Sequence, residues 1–149
     1  MCTKEKILIT DDSALNRQLL ADILGDRYEY LYAGDGVEAL ELLNSRFDID
    51  LLLLDINMPR LDGFSVLSAL KHCDLGRELP VIIISSEDDD GFIQRAYDLG
   101  VTDYLQRPFN VTVVQRRVSN TLAMYARQRQ LVHLAEEQVY QREKTNSAI

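Results

Sequence analysis

The stretch LLLLDINMP, residues 51–59, decides how the rest of the chain is read. Four leucines in succession, followed at once by Asn57 and Pro59, predict a strand buried on both faces that stops at a loop. Asp55 then stands at the exit of that strand. Taken alone, such an aspartate is a turn former whose side chain bonds nearby backbone amides.

Outward from this run, the same arrangement recurs. KILIT (6–10) is a β-rich run that ends at Asp11, Asp12 and Ser13, all good N-caps for the helix ALNRQLLADIL. In that helix Leu15, Leu19, Leu20, Ile23 and Leu24 are expected on one buried stripe, closed by Gly25. YEYLYA (28–33) is strand-like, GDG (34–36) breaks it, and VEALELLNSRF is again amphipathic. A helix over 64–73 follows Gly63. PVIII (80–84) is a buried strand ending at Ser85 and Ser86, and the acidic EDDD leads to a helix over 92–99 stopped by Gly100. DYL (103–105) is a short last strand, and RPF breaks the chain before a final helix.

Strands and helices that alternate five times at short spacing predict an α/β fold, a doubly wound parallel sheet with right-handed crossovers. Ligands of such sheets bind outside the carboxyl ends of the strands. Every strand but the second delivers a polar residue there: Asp11 and Asp12, then Asp55, Ser85 and Arg107. The turn-former reading would have to hold separately at each strand, so a shared site is the better account.

Composition limits what that site can serve. At 149 residues, 46% hydrophobic and 27% charged, the chain suits one soluble domain, with no apolar run near the roughly 20 residues of a membrane span. MCTKEKILIT does not read as a secretory leader, so a cytoplasmic location is expected. Cys2, Cys73, His72 and His133 lack metal-ligand spacing. The net charge of −8 argues against direct nucleic-acid binding by the molecule as a whole. No acid occurs between Tyr104 and Ala135, where Arg107, Arg116, Arg117, Arg127 and Arg129 fall, and the arginines of the final helix are expected on a solvated or partner-facing surface.

Carboxylates that converge repel one another by roughly 4 kcal/mol per pair at an effective dielectric of about 20. A cation or a proton must relieve this. An all-oxygen cluster suits Mg²⁺, which keeps several waters and shares its shell with phosphate, so Asp11, Asp12 and Asp55 form the expected metal site. A carboxylate can also attack phosphorus, and the transfer needs mainly a metal, a fixed cation and a hydroxyl on the phosphoryl oxygens. Asp55 is the best-placed nucleophile, with Arg107 and Ser85 supplying the last two groups.

These residues carry a family resemblance. DD at 11 and 12, LLLLDINMPRLDG from 51 to 63, IISS at 83 to 86 and YLQRPF at 104 to 109 resemble the receiver domain of two-component response regulators, over about residues 5 to 124. The resemblance implies a flavodoxin-like sheet of order 2-1-3-4-5 and a domain division into 1–124 and a helical extension, 125–149. It implies that Asp55 accepts a phosphoryl group from a histidine kinase or phosphotransfer protein. Asp12 would bind Mg²⁺ directly, Asp11 through water, and the Asn57 backbone carbonyl would be a further ligand. Ser85 would be the switch hydroxyl and Tyr104 the switch aromatic, while Met58 and Pro59 shape the loop and Gly63 opens the next helix. Asn57 and Glu87, each two residues past a site residue, are candidates for tuning dephosphorylation. One departure stands out: the family usually has lysine where this chain has Arg107, which keeps the charge but presents a bulkier planar fork. The family can also take a cis bond before the proline, here Pro108.

The last helix looks too long for the domain. No Pro or Gly interrupts 112–144, and Val111, Val118, Tyr125, Val132 and Val139 recur every seven residues, with Val114 and Ala135 at d-like sites. Thr121 and Gln128 spoil the other d positions. The expectation is a signalling helix of about 50 Å that pairs with a second copy and leads to an output domain. A homodimer would form through it or through the face made by the fourth helix, fifth strand and fifth helix. VVQRRVSNTLAMYARQRQL is also similar to linkers that join receivers to cyclic-di-GMP enzymes of the HD-GYP type. The alternatives are a stand-alone receiver that acts by binding a partner and, more remotely, a Mg²⁺-dependent phosphatase of the haloacid-dehalogenase type. The phosphatase should carry a second acid where this chain has Asn57. An electron carrier would need a flavin cradle that TDDSALN does not offer.

Overall fold

A run of four leucines with no polar break can still obey the two-residue period of a strand if both faces of the sheet are covered. The computed structural model describes residues 4–58, 60–72, 79–86 and 90–147, so Cys2, Pro59, Cys73 and Glu87 lie outside the described residues. In it, Leu51 and Leu53 enter one core with Ile7, Ile9, Ile82 and Ile84, while Leu52 and Leu54 enter the other with Leu8 and Ile83. All five residues of this strand are buried.

The strands are β1 (Glu5–Thr10), β2 (Tyr28–Ala33), β3 (Leu51–Asp55), β4 (Val81–Ser85) and β5 (Asp103–Gln106). They form one parallel sheet of order β2-β1-β3-β4-β5, the flavodoxin-like order expected from the resemblance. The helices are α1 (Ala14–Leu24), α2 (Gly36–Ser45), α3 (Gly63–His72), α4 (Asp90–Asp98) and α5 (Val111–Ser147). Buried residues of α1 and α5 cover one face, and those of α2, α3 and α4 cover the other.

Local chemistry sets the helix ends that surround the site. The Ser13 hydroxyl accepts the Asn16 N–H at 3.3 Å and caps α1, while Asp35 caps α2 through the Glu38 N–H at 2.8 Å. Gly25 ends α1 at φ +76°, where a side chain would be strained. Expectation and structure part on the outer face of α1. Leu15 and Leu19 are 78% and 45% exposed, and the buried residues are Leu20, Ala21 and Leu24. The helix carries two apolar i,i+4 rows about a hundred degrees apart, and only one of them can face the sheet.

The final helix runs for 37 residues, about 55 Å. Val114, Val118, Thr121 and Leu122 are buried, and the hydroxyls of Tyr125 and Thr102 lie 3.3 Å apart. From 126 to 144 every side chain is exposed. Among the described residues no helix is long and apolar enough to cross a membrane.

Gly63 shows how tightly α3 meets β3. A Cβ there would lie 2.6 Å from the Asp55 carbonyl and 2.8 Å from Ile56 Cα, and backbone cannot step aside as a flexible side chain can. Alanine is the better helix former by up to about 1 kcal/mol, yet Gly63→Ala is expected to destabilise the protein by about 1–3 kcal/mol. Urea unfolding measures the sign; a stabilised variant would mean that the strand and helix are not in this contact.

Candidate functional site

Parallel pairing of β1 with β3, with Thr10 opposite Leu54, places the residues that leave both strands side by side. Asp11 and Asp55 are buried, Asp12 is exposed, and one carboxylate oxygen from each lies within 4.8 Å of the others. At that distance each charged pair would repel by about 3–4 kcal/mol at an effective dielectric of about 20. The sequence expectation that these three acids converge is met in space.

Arg107, expected at the same place, enters the cluster. It follows β5, and its Nη2 bonds the Asp11 carboxylate and lies 3.4 Å from Asp55 Oδ2. The Arg107 backbone N–H donates to the Ser85 carbonyl at 2.9 Å, and the bond to Pro108 is cis. The remaining acceptors are partly used. Asp11 Oδ1 accepts the Ser13 N–H at 2.9 Å, and Asp55 Oδ1 accepts the Asn57 N–H at 3.3 Å. Two buried polar atoms, Thr10 Oγ1 and Arg107 Nε, have no partner among the described residues.

Electrostatics follow from this packing. Burial raises the Asp55 carboxyl to about 6; Arg107 opposes the rise, and the neighbouring Asp11 adds to it. Burial also raises Asp11, against the Ser13 amide and Arg107. One guanidinium therefore leaves two of the three negative charges of the cluster unbalanced.

The other expected residues surround the cluster at different depths. Ser85 is buried at the end of β4, one step beyond Ile84, which pairs with Asp55. Asn57 is exposed beside the acids, and Met58 packs on the core from the same loop. Tyr104 lies mid-strand opposite Ile83, half-buried, its ring edge-on to Tyr97 at 6.4 Å. It is not among the carboxylates. His72 and His133 are exposed, as expected of solvated positions.

Sequence reasoning missed two arginines. Arg17, one turn into α1, donates to the Asp11 carbonyl at 2.6 Å. Arg117 of α5 stands 4.8 Å above the Tyr104 ring, donates to the Tyr104 carbonyl and lies 3.8 Å from Asp103. The expectation of a solvated arginine surface holds for Arg116, Arg127 and Arg129, all exposed, and fails for Arg117. Arg117 is drawn onto Asp103 and Tyr104, and Arg129, while exposed, also meets Asp50 at 3.5 Å where the helix passes an acidic body.

The response regulator receiver domain profile matches residues 7–119. The sensor histidine kinase RcsC of Escherichia coli K12 is 38% identical over 121 residues, which are 80% of this chain and 12% of that protein. A protein of Vibrio cholerae named as a probable cyclic di-GMP phosphodiesterase is 34% identical over 78% of this chain and 26% of its own length. The chain thus spans about an eighth and a quarter of these two relatives. Among solved structures, Vibrio cholerae chemotaxis protein CheY4 superposes with a TM-score of 0.73 and 28% identity, over 80% of this chain and 99% of that one.

The raised Asp55 carboxyl fixes a sign. The folded protein holds that proton more tightly than the unfolded chain, whose carboxyl titrates near 3.8, so stability falls as pH rises from about 4 through about 6. In EDTA, Asp55→Asn is expected to be more stable than wild type by roughly 2 kcal/mol at pH 7.5, and by little at pH 4. Denaturant melts at both pH values measure this, and a pH-independent difference would count against the raised carboxyl.

Proposed function

We propose that Asp55 is the phosphoacceptor of this chain, which belongs to the response regulator receiver domain family of two-component systems. Members of that family are signalling phosphoacceptor domains rather than enzymes. The observation that carries the assignment is a buried carboxylate at the end of the central strand, flanked by two further acids and a guanidinium. The donor is a phosphohistidine on a histidine kinase or phosphotransfer protein. An Asp55 oxygen attacks phosphorus, the O–P bond forms as the P–N bond breaks, and the imidazole leaves with the electron pair. Arg107 steadies one phosphoryl oxygen and the Ser85 hydroxyl another.

The donor set suits a divalent cation. It offers only oxygen, and three carboxylates against one guanidinium leave two negative charges. Asp12 and Asp55 would hold Mg²⁺ directly, Asp11 through water, and the Asn57 carbonyl would add a ligand. Bound there, Mg²⁺ supplies charge neutralisation on the remaining phosphoryl oxygen. Arg107 replaces the usual lysine at a point where it already contacts Asp11, so acceptance is retained with altered kinetics. Ser85 and Tyr104 act together as the switch, with Asn57 beside the acceptor as a tuning position.

The output side is read from α5. We assign 1–124 to the receiver and 125–149 to an extension. Val132 and Val139 continue the heptad row of Val118 and Tyr125 beyond the domain and stay 57% and 54% exposed, which supports pairing with a second copy. An attached output domain, for example one that acts on cyclic di-GMP, is consistent with the partial span of the phosphodiesterase relative. A stand-alone receiver is the second reading, favoured by the match to nearly the whole of CheY4. The work of such a protein lies in the cytoplasm.

Incubation with acetyl phosphate and Mg²⁺ is expected to add one phosphoryl group to wild type and none to Asp55→Asn, read by intact mass. Arg107→Lys should still be modified at a changed rate, and Arg107→Ala should slow by about a hundredfold. An Arg107→Ala protein that matches wild type in acceptance and switching would remove Arg107 from the mechanism. For the extension, Val132→Asp with Val139→Asp is expected to turn a dimer into a monomer in sedimentation. A wild type that stays monomeric when phosphorylated would favour the stand-alone reading.

A further inference from the structure

The loop behind Asp55 carries a residue that does not suit its backbone. Arg60 sits at φ +68°, and it is the only non-glycine residue with positive φ among the described residues. Glycine takes this conformation freely, whereas an L side chain is strained there. The arginine is not idle: its Nη1 donates to Asp35 Oδ2 at 2.9 Å. The other Asp35 oxygen accepts the Glu38 N–H, so this largely buried carboxylate caps α2 with one oxygen and holds Arg60 with the other.

The next residue along touches the next residue of α2. A Cβ on Gly36 would lie 2.6 Å from the Leu61 carbonyl and 2.5 Å from Val66, so the loop and the start of α2 are in direct contact at 60 with 35 and 61 with 36. The base of the loop is closed by the Gly63 N–H, which donates to the Ile56 carbonyl at 2.9 Å. Asn57 lies between these two anchors, its N–H on Asp55 Oδ1. Its position therefore depends on both.

We propose that the Arg60–Asp35 pair is a latch that positions the loop behind Asp55, and with it the Asn57 carbonyl, for the divalent cation. Both are positioning residues, acting through the loop rather than on the reacting atoms. The inference rests on the metal site proposed above. A turn with no such duty would be better served by glycine at 60, and the strained arginine is accounted for by its side chain's partner.

The test is calorimetric titration of MgCl₂ into the full chain as wild type, Arg60→Gly, Asp35→Asn and the double variant, with thermal melts in EDTA alongside. Arg60→Gly removes the latch while relieving the positive φ, and Asp35→Asn keeps a capping oxygen. Each single variant is expected to weaken Mg²⁺ binding by about two- to fivefold, the range open to a partly exposed ion pair. The double variant should be no weaker than either single one, and the Arg60→Gly melt should not fall. Wild-type affinity in Arg60→Gly, or losses that multiply in the double variant, would overturn the latch alone. A wild type that takes up no Mg²⁺ would overturn the metal reading, and the latch's purpose with it.

Discussion

Two buried carboxylates and one exposed carboxylate share a space less than 5 Å across at the ends of β1 and β3. No arrangement of apolar packing can make that favourable, since each ionised pair repels and burial weakens solvent screening. The fold tolerates it because the site lies at the rim of a sheet whose two cores are continuous hydrocarbon beneath it. Stability is held in the strands, and the rim is left electrostatically unsatisfied.

Arginines manage the remainder. Arg107 binds the cluster directly, and Arg17 fastens the backbone of Asp11 from α1. On the β5 edge, Arg117 grips Tyr104 by its ring and its carbonyl, and so ties β5 to α5. The helix that grips the Tyr104 strand is also the helix that leaves the domain. The strand that carries Tyr104 and the helix that continues past the domain are thus joined by the planar, forked contacts of Arg117.

Much of this was legible in the chain itself. The apolar run before Asp55 and the acids after KILIT gave the strands and the site at their ends, because a two-sided sheet needs continuous hydrophobic runs and the residues just past those runs gather in its crevice. The long uninterrupted helix was visible for a similar reason, the absence of any breaker. The outer row of α1 was misread: Leu15 and Leu19 have the spacing of buried residues, and nothing local distinguishes their row from that of Leu20 and Leu24. Arg117 was misread too, because its place against Tyr104 and Asp103 depends on how α5 packs beside β5.

What the sequence determined by itself is therefore whatever depends on runs and periods: the alternation of elements, the strand ends, the candidate acids and the length of α5. Outside the acidic cluster, tertiary structure alone decided which charges meet. That Arg60 finds Asp35, that Arg117 finds Tyr104, and that Arg129 meets Asp50 all depend on crossovers that bring distant segments together. Periodicity places a residue on a face, and only the packing of faces against one another determines which partner its charge will meet.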